Sequence, residues 1–304
     1  MARAGLCQPG KQLMNAKELR LQTRLGVFCG LHWPNPDAPR VMCLHGWLDN
    51  ASSFTPLAPH LKDFDLIALD MAGHGYSDRR PAGARYYMMD NLWDLDAVLD
   101  ALDWSECNLI GHSLGGGVAS TYAATAPERV SRLITLDGLG PLSASSGDTV
   151  KRLKSSIESV RKKSSGLRDY PDIETAAMTR QKASGFSIEI ARLLVERSLK
   201  HEDGVFRWST DPALNWRSPT MLTEEQVIEI LVAIEAPTLS IVCSQIDNWI
   251  DSEITGNRRS IMPGLWHRMI DSHHHFHMDQ PQQTADFIIE FLNTPESQLE
   301  QNNA

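Results

Sequence analysis

Residues 108–117, NLIGHSLGGG, decide the reading of this chain. An apolar run of strand character enters Gly111-His112-Ser113-Leu114-Gly115, and a helical pattern leaves it. A bare G-x-S-x-G arises by chance in about one chain in ten of this length, so the flanking strand and helix carry the weight. A serine on so sharp a strand-to-helix turn takes a strained backbone, and the positions two before and two after must lack bulk for the turn to close. Gly111 and Gly115 meet that need. The turn lifts Ser113 above the sheet and leaves it at a helix N-terminus, where free N–H groups favour developing negative charge.

Working outward, the segments on either side alternate between strand and helix. ELRLQTRLG and VFCGLHW read as an opening hairpin, and VMCL, DLIALD and RLITLD as further strands, with a helix over Tyr86 to Leu102. Strands this apolar have no face for water, which implies a largely parallel sheet covered on both sides: an α/β fold. After Gly140 the pattern turns to helices without intervening strands, through KRLKSSIESV, IETAAMTRQ and SIEIARLLVERSLK, up to about Ala233. PTLSIVC, WHRMI and a final helix, QQTADFIIEFL, then resume the alternation. The expected organisation is one core from residues 1–140 and 234–304, with 141–233 inserted in it as helices.

With 304 residues, 42% hydrophobic and 22% charged, the chain can build one large core and carry such an insertion. The net charge of −9 argues against nucleic acid or an anionic membrane surface as partner. Residues 150–168 run against that balance, with seven Lys or Arg and one Glu158. Val150, Leu153, Ile157 and Val160 form a stripe at helical spacing there, so the run is expected to be the solvated face of a helix. The N-terminus lacks the apolar stretch of a secretory signal, and no segment approaches the ~18 apolar residues of a membrane span, which together predict a cytoplasmic protein. Five cysteines, odd in number and mostly inside apolar runs, read as reduced core thiols.

Four stretches in this order, LHGWLDNASSF, LDMAGHGYSD, GHSLGGGVAS and APERVSRLITLD, resemble the α/β-hydrolase superfamily, and the first and third look most like its serine hydrolase-like proteins. The resemblance spans roughly residues 20 to 295 and is weak through the helical insertion except at FRWSTDP. It implies an α/β-hydrolase fold, a mostly parallel eight-stranded sheet with helices on both faces and a helical cap over the site. It also implies a Ser, acid, His order, with the histidine in a loop after the last strand, shortly before a proline that opens the final helix. That loop is DSHHHFHMDQP, residues 271–281. Counting seven back from Pro281, as in relatives, gives His274, with His275 and then His273 as alternatives and His277 as a pocket or loop residue.

The acid has two candidates, each able to hold the imidazole tautomer. Asp137 ends the strand RLITLD and needs no insertion, whereas Asp247 stands one residue past the position that relatives commonly use. The amides of Trp47, in the His-Gly turn after VMCL, and of Leu114 are the expected oxyanion donors. His45 and His112 are expected to bind substrate beside the nucleophile, and Trp208, Trp216 and Phe206 would wall a substrate pocket. Asp70 and His74 read as loop-shaping residues, and Asp211 as either a pocket residue or a turn cap. A metal nest needs several imidazoles converging on one point. Adjacent loop residues point in alternate directions and no carboxylate pair accompanies them, so neither metal nor cofactor is expected.

The resulting expectation is a cofactor-independent serine hydrolase that cleaves a carboxylic ester or related acyl compound through an acyl-enzyme. Alternatives are C–C bond or thioester hydrolysis on the same triad, or a noncatalytic small-molecule-binding member of the fold. Beyond a small-molecule substrate, a second copy of the chain is the one partner left open.

Overall fold

The apolar runs become strands because both of their faces are covered. The computed structural model describes residues 16–161, 169–184, 187–245, 252–262 and 264–299. In it β1 (Lys17–Thr23) and β2 (Gly26–Trp33) make the opening hairpin, followed by β3 (Arg40–Leu44), β4 (Asp65–Leu69), β5 (Cys107–His112) and β6 (Val130–Leu136). Along β3, Val41 and Cys43 join one apolar cluster and Met42 and Leu44 the other. This is the two-residue period of a strand, with core on each side. Helices α1 (Asp90–Ala101) and α2 (Leu114–Thr125) cover the second face through Leu95, Val98, Val118 and Tyr122.

Between β6 and the next strand of the sheet come α3 (Thr149–Arg161), α4 (Ile173–Ser184), α5 (Ile188–Ser198), the strand pair β7 (Leu199–Glu202) and β8 (Val205–Trp208), and α6 (Glu224–Val232). The sheet resumes with β9 (Thr238–Cys243), then α7 (Ser252–Ser260), β10 (Trp266–Ile270), the short α8 (Phe276–Asp279) and α9 (Pro281–Asn293). Ile288 and Phe291 of α9 pack on the first face beside Phe54, Leu57 and Leu61. The eight strands run in the order β1-β2-β4-β3-β5-β6-β9-β10. Pairing is antiparallel from β1 through β2 to β4 and parallel from there on, as expected from the sequence. The order reverses around β3, which puts the carboxyl ends of β3 and β5 at the position where open α/β sheets bind their ligands. None of the helices among the described residues is long and apolar enough to cross a membrane.

Three local features depart from the sequence reading. The helix expected from Tyr86 starts at Asp90, because the Tyr87 N–H is taken by the Asp90 carboxylate and the Tyr86 hydroxyl is turned to Asp211, 2.7 Å away. The tail of SIEIARLLVERSLK is not helix but β7, paired antiparallel with β8. Its turn is Asp203-Gly204, both at positive φ (52° and 81°), the geometry of a two-residue hairpin loop that this dipeptide favours. Finally, α3 is mounted with its polar face inward. Ser155 accepts from Arg217, Ser156 from Arg85, and Ser159 from the Arg217 amide. The apolar stripe faces out instead, with Val150 78% and Ile157 51% exposed.

Candidate active site

Ser113 sits between β5 and α2 at φ 52°, ψ −115°, a strained left-handed backbone. Its N–H bonds Leu136 O of β6 at 2.9 Å, and its own carbonyl accepts from the Gly116 and Gly117 amides. The two elbow glycines are required sterically. A Cβ on Gly111 would stand 2.3 Å from Gly115 O, and one on Gly115 only 2.1 Å from Leu44 O. The turn thus brings the end of β3 hard against the start of α2.

The loop after β10 supplies the histidines, and each of the four faces a different neighbour. His274 directs Nδ1 at the Asp137 carboxylate, 2.5 Å away. Asp137 lies just past the end of β6 at φ 51°, fixed by its N–H to Ile241 O, and Cys243 Sγ donates to the same oxygen, Oδ2, at 3.3 Å. His275 turns the other way, its ring perpendicular to that of His274, and meets Asp49 Oδ2 at 3.1 Å. His273 pairs with Asp279 at 2.6 Å near the surface. His277 is fully buried, 4.3 Å between ring centroids from His112, and neither of its ring nitrogens has a hydrogen-bond partner among the described residues. Alternate residues do point in opposite directions, as expected. The carboxylate of Asp49 nonetheless comes in from the loop after β3 and the imidazole of His112 from the end of β5, so imidazoles and a carboxylate converge where the sequence suggested none.

His112, the residue before Ser113, is likewise fully buried, and its Nε2 donates to the carbonyl of His274 at 3.0 Å. The nucleophile loop and the histidine loop are thereby stitched together. Burial first, and then the surrounding histidines, push the pKa values of His112 and His277 far below the usual imidazole range. For Asp49, burial opposes ionisation, but His275 and Arg180, whose Nη2 donates to Oδ1 at 2.6 Å, hold the carboxyl below the usual range.

The remaining expected residues divide in their settings. His45 is buried with both ring nitrogens committed, one to Gly46 O and the other to the Met71 N–H. His74 is buried beside it, and burial followed by the His45 neighbour lowers its pKa to about 3. Asp70 accepts from the amides of Ala51 and Tyr76 and from Arg197 of α5, a buried clamp between two loops and a helix. The Trp47 side chain is 51% exposed, and its indole N–H reaches Leu214 O. Trp208 packs edge-on to Tyr170 in a small cluster with Val195 and Leu199, and Phe206 belongs to the same group. Trp216 is partly exposed and follows a 3-10 turn capped by Asp211. Asp247 lies outside the described residues.

Sequence reasoning did not find Asp49, Arg180 or Cys243. Asp49 lies within a stretch already singled out, but nothing in its spacing marks it, and its partners Arg180 and His275 are 131 and 226 residues away.

Comparison with known proteins agrees with this architecture. Residues 39–159 match the family model for the alpha/beta hydrolase fold. The chain is 26% identical to a serine hydrolase-like protein of Danio rerio, over 91% of this chain and 88% of that one. It is 28% identical to serine hydrolase-like protein 2 of Homo sapiens, over 90% and 93%. Among solved structures, a hypothetical protein of Pseudomonas aeruginosa PAO1 superposes with a TM-score of 0.83 at 30% identity, covering 90% of this chain and 97% of that one. Matched at its elbow by the family model and over nine tenths of its length by these relatives, the chain belongs to the α/β-hydrolase superfamily, is a hydrolase, and stands near the serine hydrolase-like proteins.

Proposed function

We propose that the protein cleaves a carboxylic ester or related acyl compound through an acyl-enzyme on Ser113, with His274 as general base and Asp137 as the triad acid. The observation that carries this reading is the 2.5 Å contact between His274 Nδ1 and Asp137 Oδ2, held beside the elbow by the His112 bond to the His274 carbonyl. With Nδ1–H committed to a carboxylate, Nε2 is the basic nitrogen, the tautomer that can take the serine proton. Ser113 Oγ attacks the carbonyl carbon while His274 accepts its proton and then returns it to the leaving alcohol. Water, deprotonated by the same imidazole, displaces the acyl group and regenerates the serine.

The negative charge on the carbonyl oxygen falls to the backbone amides of Leu114 and Trp47. Leu114 is the first residue of α2, where a helical N–H needs no intrahelical acceptor and the dipole adds favourable potential. Gly115 against Leu44 O brings the loop that begins at His45 within reach of that helix end. Residues 141–233 act as a cap over this edge of the sheet. Support comes from their ties to the loops after β3 and β4: Asn50 Nδ2 to Leu194 O and Ser198 Oγ, Arg180 to Asp49, and Arg197 to Asp70. Turnover of a panel of chromogenic esters of graded acyl length tests the reading. Hydrolysis should be measurable in the wild-type chain and lost in Ser113→Ala, by on the order of 10⁶ in kcat. Turnover in folded Ser113→Ala equal to wild type refutes it.

A further inference from the structure

We propose that Asp49, His112 and His275 form a binding site for a divalent transition-metal ion, Zn²⁺ by donor set, separate from the Ser113, His274 and Asp137 line. The ligand atoms of the three residues all lie within 4.8 Å of one another. Asp49 Oδ2 is 3.1 Å from His275 Nε2 and 3.9 Å from His112 Nδ1. Tetrahedral zinc with bonds of about 2.0–2.2 Å sets its ligand atoms about 3.3–3.6 Å apart, a value those two distances bracket.

The protonation pattern points the same way. Because His112 Nε2 donates to a peptide carbonyl, its proton sits there and Nδ1 carries a lone pair. That lone pair faces a carboxylate oxygen from within the fully buried core, and Nδ1 has no hydrogen-bond partner among the described residues. Two electron-rich atoms opposed at 3.9 Å are too far apart to share a proton, and they repel unless a cation or a donor stands between them. The supports around the trio also suit a metal. Arg180 holds the second oxygen of Asp49, and the His274 carbonyl holds the far nitrogen of His112, the outer contacts that fix the orientation of metal-bound carboxylates and imidazoles. His277, buried beside His112 with both nitrogens unpartnered among the described residues, offers a further imidazole next to the trio. Two imidazoles and one carboxylate match zinc and its neighbours, not the all-oxygen shells of magnesium or calcium. The ion would tie together the loops after β3 and β10 and the end of β5, pinning the residue before Ser113 and the residue after His274.

The test is calorimetric titration of tag-free, chelator-stripped protein with ZnCl₂, a readout independent of any hydrolysis. One ion per chain is expected. Asp49→Asn and His275→Ala, checked for folding by circular dichroism, should each weaken binding by at least about 100-fold, the upper range for loss of an outer contact. His274→Ala, whose imidazole faces Asp137 instead, should bind as wild type does. Visible absorption of the Co²⁺-loaded wild-type chain needs no variant and should show the intense bands of a tetrahedral centre. Wild-type affinity in both ligand variants, loss of binding in His274→Ala, or a weak octahedral cobalt spectrum would each overturn the proposal.

Discussion

Asp137→Asn removes the charge beside His274 while leaving the backbone able to stay as it is. Asparagine tolerates positive φ, so the 51° conformation at this position persists, and the N–H to Ile241 O does not depend on the side chain. In the wild type, one carboxylate oxygen serves both His274 Nδ1 and the Cys243 thiol. The carboxamide can place either its oxygen or its NH₂ there. With the oxygen, the tautomer survives but the imidazolium loses its counter-charge. With the NH₂, His274 must present a lone pair at Nδ1, which puts its proton on Nε2 and removes the base. Loss of a triad acid in this way costs about 10⁴ in kcat, or roughly 5.4 kcal/mol of transition-state stabilisation at about 1.36 kcal/mol per tenfold. Steady-state kinetics on a chromogenic ester, with circular dichroism to verify the fold, measures it. Turnover within tenfold of wild type in a folded Asp137→Asn would refute the assignment and return the role to Asp247.

Three further outcomes follow from the same geometry. Gly115→Ala should lose most soluble, active protein, since its Cβ would stand 2.1 Å from Leu44 O; wild-type activity would mean that the elbow is not as tight as described. Arg197→Ala leaves Asp70 buried without its cation and should cost about 3–5 kcal/mol in urea denaturation, and a change below about 1 kcal/mol would contradict the clamp. Stability should also fall as pH drops below about 6.5. His45, His74, His112 and His277 are buried with pKa values lowered in the folded state, so the unfolded chain binds more protons in that window. Each histidine still neutral in the fold withdraws about 1.4 kcal/mol per pH unit, or roughly 2 kcal/mol at about pH 5. A melting temperature unchanged between pH 7 and pH 5 would contradict that burial.

What the sequence conveys and what it withholds follow the range of the interactions involved. The elbow is legible because its constraint is local: a strand, two glycines flanking Ser113 and a helix, all within ten residues. The sheet is legible because strands buried on both faces are apolar throughout, as Val41 to Leu44 are. The β7–β8 hairpin carried a local signal in Asp203-Gly204, but the strong helical period of α5 just before it masked the change. Orientation is a different matter. The stripe Val150, Leu153, Ile157, Val160 reveals that α3 is amphipathic and not which face is turned inward, since that depends on Arg85 and Arg217 reaching its serines from elsewhere. The Asp49 network is the extreme case, assembled from the loop after β3, the end of β5, α4 and the last loop by contacts spanning 63 to 226 residues, and no periodicity records it.

The central claim is that Ser113 is the nucleophile, and covalent capture tests it most directly. The protein is treated with a fluorophosphonate probe, digested, and the modified peptide identified by mass spectrometry. A serine on the elbow, activated by His274, requires a single stoichiometric adduct on Ser113, absent in Ser113→Ala and strongly reduced in His274→Ala. No adduct on the folded wild-type chain, or an adduct on another serine that persists in Ser113→Ala, would contradict it.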